Sequence, residues 1–292
     1  MLRQVNVILI KEYKLQIKHS ILALRGLTYR ETVKFIHQKG RLLSAFVRPA
    51  LWLFVFAAGV GTVTGVDPGM NNPYPIQNVN YFEYIVPGLI GMVLLFSGMQ
   101  SSLSMVYDRE MGVMRLLLTA PLPRWYLLTA KLFSGTFLSV LQAYVFLIIC
   151  LPIVGLLVNF STPIIGWIYI LPATILFGMM LGALGLLISV YIKQLENFAG
   201  TMNFVIFPMF FISSALYPLW RLQDNRAEFV WWLANINPFT YGVELVRWAS
   251  LGQVYIPGLL VTISCTIIFL FLATLGYDPQ KGMAKKGGGK PG

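Results

Sequence analysis

The chain has 292 residues, 57% of them hydrophobic and only 11% charged. A water-soluble domain carries about a quarter charged residues, so the composition excludes an ordinary soluble enzyme and places the chain in a membrane. The net charge of +11 then reports topology and contact with an anionic leaflet, with no need for nucleic acid as a partner.

In chain order, a basic leader (1–41) comes first. Lys11, Lys14 and Lys18 recur at helical spacing opposite Ile10, Tyr13, Ile17, Ile21 and Leu24. This predicts an amphipathic helix along the membrane surface. Thr28-Tyr-Arg-Glu31 has a capping-box pattern, predicting a second helix from about Thr28 to Lys39. The leader lacks the apolar core and small-residue site of a cleaved signal peptide. It reads either as a membrane anchor or as an anchor that also touches a cytoplasmic partner.

A helical crossing takes about 20 apolar residues. Six segments qualify, at 42–64, 84–106, 130–158, 163–190, 198–220 and 256–276. Their central parts are expected to hold no Asp, Glu or Arg, with Lys131 at the start of the third and Arg48 counted with the leader. Of the 22 Lys and Arg, all but Arg221, Arg226 and Arg247 then fall on one side. The positive-inside rule places that side, and both termini, in the cytoplasm.

Between the spans, residues 65–83 are rich in Pro, Asn and Gly without Lys or Arg, an extracytoplasmic loop. The stretch from Val106 to Lys131 is cytoplasmic. Met111, Met114, Leu117 and Leu118 form an apolar stripe flanked by Asp108, Arg109, Glu110 and Arg115. The stretch fits a short helix that docks in a partner's groove, stopped near Pro121 and Pro123, or a plain solvated loop. Gly178, Gly182 and Gly185 suit close helix packing in lipid. Residues 221–255 are too polar to span and too aromatic to lie free in water. They predict one or two short helices in the outer leaflet, with Trp231, Trp232, Tyr241 and Trp248 at the interface. Pro238 starts the second behind a possible Asn237 cap, and Glu244 is placed to pair with Arg247. An aromatic anchor and a gate are both open readings. Residues 277–292 read as a disordered basic tail.

Catalytic chemistry is not visible. The two histidines, His19 and His37, both lie in the leader, and no metal cluster has plausible spacing. Cys150 and Cys265 lie in apolar runs and read as small hydrophobes. Gly59–Gly65 is a near miss to a dinucleotide fingerprint inside a span, and the terminal Gly-rich run lacks the Ser or Thr of a phosphate loop. A proton- or sodium-driven carrier needs an ionisable group at membrane depth, and none is expected. An active transporter of this composition must draw its energy from another chain. The alternatives are an ion-coupled secondary transporter and a non-catalytic structural membrane protein.

"YDREMGVMRLLLTAPLPRWYLLTAKLFSG" resembles the cytoplasmic coupling segment of type-2 ATP-binding-cassette (ABC) exporter permeases. The shared features are Arg109, Glu110, Gly112, Leu116, Leu117, Pro121, Arg124 and Lys131; Val113 and Met114 depart from the common pattern. "NPFTYGVELVR" (Asn237, Pro238, Phe239, Tyr241, Glu244 and Arg247 among it) is similar to the family's second signature, before the last span. The resemblance implies an all-α, polytopic fold of six transmembrane helices, filling 42–276, with an amphipathic leader, a short coupling helix at about 112–120 and an extracytoplasmic re-entrant segment before span six. It implies a permease dimer, of two copies or paralogues, in a bacterial inner membrane. It also implies a separate cytoplasmic ATPase that binds ATP and magnesium, while this chain binds neither. The expected cargo is lipophilic or amphipathic: a drug-like compound, a glycolipid or a polysaccharide.

Overall fold

The computed structural model describes residues 22–57 apart from 23, 27, 34 and 38, together with 81–112, 124–157, 164–192, 194–224 and 227–277. The first leader helix, most of the 65–83 loop, residues 113–120 of the expected coupling helix and the basic tail lie outside the described residues.

Every regular element among the described residues is a helix. They are α1 (Lys39–Trp52), continued by a π turn Leu53–Ala57, α2 (Tyr81–Glu110), α3 (Arg124–Leu157), α4 (Ile164–Tyr191), α5 (Leu195–Phe211), α6 (Leu219–Asp224), α7 (Glu228–Ile236), α8 (Pro238–Ser250) and α9 (Ile256–Gly276). Four of them are long and apolar enough to cross a membrane: α2, α3, α4 and α9. The segments expected at 42–64 and 198–220 differ. The first is described only to residue 57, and the second ends as a helix at Phe211, after 17 residues, in a bend over 212–218.

The central helix is α4, which packs against α2, α3, α8 and α9. It is apolar on every side, which suits both its packed faces and the outward face of Ile168, Leu171 and Ile175. Its glycines set how closely the neighbours approach. A methyl group at Gly182 would meet Leu132 at 2.9 Å, and one at Gly185 would meet Ser102 at 2.5 Å. The close contact expected of Gly178, Gly182 and Gly185 is thus made against α2 and α3. Large side chains of α9 (Ile256, Leu260, Ile267, Phe271, Leu275) face outward, as suits a helix bordered by lipid.

Two sequence expectations are corrected here. Thr28 does not start a helix. Residues 24–26 are already helical, and its hydroxyl donates to the Leu24 carbonyl at 2.9 Å, the habit of a helix-interior threonine. Lys131 does not stand at the start of the third span either. α3 begins at Arg124, which puts Lys131 two turns inside.

Candidate functional site

Two polar clusters stand at opposite ends of α2. Tyr84 belongs to one and Asp108 to the other, about 36 Å apart at 1.5 Å per residue. That slightly exceeds the roughly 30 Å hydrocarbon thickness of a bilayer. The middle of α2 therefore spans the membrane, with these two clusters at its borders.

At the Asp108 end, three consecutive residues point to three different parts of the molecule. Asp108 is only 1% exposed. Its Oδ2 accepts from Lys131 Nζ at 2.9 Å and from an Arg30 guanidinium nitrogen at 2.7 Å. Arg30 also reaches Glu31 at 2.8 Å. Burial acts to lower the Arg30 pKa, and the carboxylates of Glu31 and Asp108 outweigh it, holding that pKa above its ordinary value. A leader residue, α2 and α3 thus share one ionic cluster. Arg109 turns instead to the end of α4, donating to the carbonyls of Val190 and Ile192, each at 3.4 Å. Glu110 reaches the start of α5, where its Oε1 accepts from the Leu195 amide at 3.0 Å. The residue at the N-cap of α5, Gln194, makes no side-chain cap of its own. A cation at a helix C-terminus and an anion at a helix N-terminus both complement the helix dipole. Asp108, Arg109 and Glu110 together fasten the leader, α3, α4 and α5 to the end of α2.

That helix stops at once. The Met111 and Gly112 amides bond back to Tyr107 and Arg109, and Gly112 has φ +73°. This left-handed conformation suits glycine at a helix C-terminus. Arg115, Leu116, Leu117 and Pro121 lie outside the described residues, and Arg124 opens α3.

At the Tyr84 end, the Asn237–Arg247 segment is built into the bundle. Asn237 caps α8 by accepting from the Phe239 amide at 3.0 Å, with Pro238 in the first turn. Its side-chain amide donates to the carbonyls of Met209 and Ile212, at 2.7 and 2.5 Å, where α5 ends. Phe239 is fully buried against Phe177 of α4, their ring centres 5.2 Å apart. Tyr241 is half-buried. Arg247, 3% exposed, pairs with Glu244 and donates to the Ser214 carbonyl at 2.7 Å and the Tyr84 carbonyl at 3.3 Å. Its guanidinium lies 3.8 Å over the Tyr84 ring. Tyr84 in turn donates to Ser214 at 2.9 Å. α7, just before this segment, keeps an exposed apolar face formed by Phe229, Trp232 and Ile236. α8 is mostly interior, because its own face of Phe239, Val243 and Val246 packs on α4 and α2.

Sequence reasoning did not foresee Arg30, Glu31, Tyr84, Ser214 or the Leu195 amide as partners. Apart from Glu31, which pairs with its neighbour Arg30, they come from distant elements, and only the charge of Arg30 and Glu31 in an apolar chain hinted at a role.

The sequence pattern of the ABC-2 type transporter family matches residues 23–251, which covers both clusters. Among similar proteins, ycf38 of Cyanophora paradoxa, described as a transport permease, is 29% identical over 226 residues, 73% of this chain and 70% of its own length. The ycf38 of Porphyra purpurea is 26% identical over 233 residues, 77% of this chain and 72% of its own. The inner membrane transport permease YadH of Escherichia coli K12 is 22% identical over 239 residues, 81% of this chain and 87% of its own. With a family match over most of its length and helices that suit a bilayer, the chain belongs to the ABC-2 type transporter family, as the membrane subunit of an ABC transporter.

Proposed function

We propose that the chain is the permease of an ATP-driven exporter, and that a separate cytoplasmic ATPase acts on it at the Asp108 end. The observation that carries this is the three-way fastening by Asp108, Arg109 and Glu110. A push delivered to the segment between Gly112 and Arg124 is passed at once to α2 and α3, which it joins. Through Arg109 and Glu110 it also reaches the α4–α5 junction, and through Asp108 it reaches the leader. A solvated loop would need none of these bonds.

In this reading Arg115, Leu116, Leu117, Pro121 and Arg124 contribute the contact with the ATPase, which binds ATP and magnesium. The segments assigned to the Asp108 side from sequence carry most of the 22 basic residues, so in this reading that side is cytoplasmic, with both termini there. Asn237, Pro238, Phe239, Tyr241, Glu244 and Arg247 then form the outer gate. Two permeases, copies or paralogues, enclose the path. The apolar interior favours a lipophilic or amphipathic cargo.

The test is a pull-down from native membranes in mild detergent. A soluble chain with a G-x-x-x-x-G-K-[ST] loop is expected to co-purify, and the double variant Arg109→Glu, Glu110→Arg is expected to release it. Normal ATP-dependent transport by that variant sinks the coupling role.

A further inference from the structure

The expectation that no Asp, Glu or Arg lies deep in the spans does not hold. Arg48, counted with the leader by its position in sequence, reaches into the membrane from α1. Its guanidinium carbon lies 3.8 Å from the centre of the Phe96 ring. Phe96 stands twelve residues from Tyr84 and twelve from Asp108, about 18 Å along α2 from each border cluster. The cation is therefore near the middle of the bilayer.

A cation at that depth costs several kcal/mol unless it faces water, a polar cavity or a counter-charge. Arg48 is exposed from the bundle, and among the described residues no carboxylate pairs with it. The cleft it enters is polar on one side and apolar on the other. Ser97, Gln100 and Gln142 supply hydroxyl and amide groups, while Met92, Val93 and Phe96 supply the apolar wall. Gln142 and Ser97 are both buried. α1 is also irregular at this level. Pro49 removes an amide from the helical ladder, and a π turn follows at Leu53–Ala57. Such breaks in transmembrane helices are tolerated where they line a cavity.

We propose that Arg48, with Ser97, Gln100 and Gln142, binds the anionic head of an amphipathic substrate, a phosphate or carboxylate, while Met92, Val93 and Phe96 hold its apolar part. This deepens the export reading and rests on it for the word substrate. The guanidinium fork suits either oxyanion bidentately. Arginine stays charged at any physiological pH, so the site cannot exchange protons and does not make the chain a proton-coupled carrier.

The test titrates the full-length chain in maltoside micelles with dodecyl phosphate, dodecyl phosphocholine and inorganic phosphate, read by native mass spectrometry. Dodecyl phosphate is expected to bind the wild type in preference to the phosphocholine, and equal concentrations of inorganic phosphate are expected not to compete. Arg48→Gln is expected to weaken dodecyl phosphate by about tenfold or more, with Arg48→Lys retaining part of the affinity. Should Arg48→Gln fail to purify, Gln142→Leu gives the second reading, with a several-fold loss expected. Equal binding by wild type and Arg48→Gln, or by wild type and Gln142→Leu where the first cannot be purified, overturns the proposal. Effective competition by inorganic phosphate overturns the amphiphile and leaves a free anion. The ATPase pull-down separates the two claims. An ATPase that co-purifies while Arg48→Gln binds normally removes the anion site alone. Loss of binding in Arg48→Gln with no ATPase present leaves the site standing and removes the exporter.

Discussion

The carboxylate of Glu110 caps a helix that starts 85 residues later, through the Leu195 amide at 3.0 Å. The end of α2 is thereby tied to the start of α5, which lacks a side-chain cap from its own Gln194. Removing a capping side chain costs about 0.5–2 kcal/mol. Glu110→Ala is expected to speed amide hydrogen exchange over the first turn of α5 and to leave α9 unchanged. Equal exchange at Leu195–Phe198 in both proteins refutes the cap.

The Asp108–Lys131 pair predicts a strong asymmetry between single and double variants. Taking one partner from a buried pair costs roughly 3–5 kcal/mol, because the other is left charged and alone, whereas replacing both with apolar groups is often near neutral. Asp108→Ala is expected to lower the melting temperature of the purified chain sharply. Asp108→Leu combined with Lys131→Met is expected to recover most of that loss. A double variant as unstable as Asp108→Ala contradicts the pairing.

Arg247 is not replaceable by lysine. The guanidinium donates to Ser214 and Tyr84 carbonyls, pairs with Glu244 and stacks on the Tyr84 ring. An ammonium has neither the planar fork nor the stacking face. Arg247→Lys is expected to cost about 1–3 kcal/mol and to open the 212–218 bend to limited proteolysis. An unchanged melting temperature and cleavage pattern count against this account.

Gly242 lies flush against the Phe177 ring, where a methyl group has no room. Overpacking a tight core costs about 1–3 kcal/mol. Gly242→Ala is expected to reduce the thermal stability of the chain, and Phe177→Leu in the same chain to restore part of it. Failure of the second change to help places the defect elsewhere.

Gly112 at φ +73° ends α2. A side chain in that conformation costs roughly 1–2 kcal/mol. Gly112→Ala is expected to weaken coupling more than stability, seen as reduced substrate-stimulated ATP hydrolysis in the complex at near-normal permease levels. Full coupling in Gly112→Ala means the sharp stop of α2 is dispensable.

Features whose energy is local were legible before any packing. α2, α3, α4 and α9 were legible because twenty apolar residues in a row have one stable place, inside lipid, whatever their neighbours do. The Asn237–Pro238 start of α8 was legible because a cap is made within three residues. The family resemblance was legible in two short motifs for the same reason. The remaining contacts arise only when the helices pack. Arg30 meets Asp108 across 78 positions, and Arg247 meets Ser214 across 33, pairings set by the relative register of packed helices. The depth of Arg48 depends on how α1 lies on α2, and in sequence it looked like one more leader charge at the start of a span. A charge in a membrane protein has its meaning from what faces it, and that is fixed only when the helices come together.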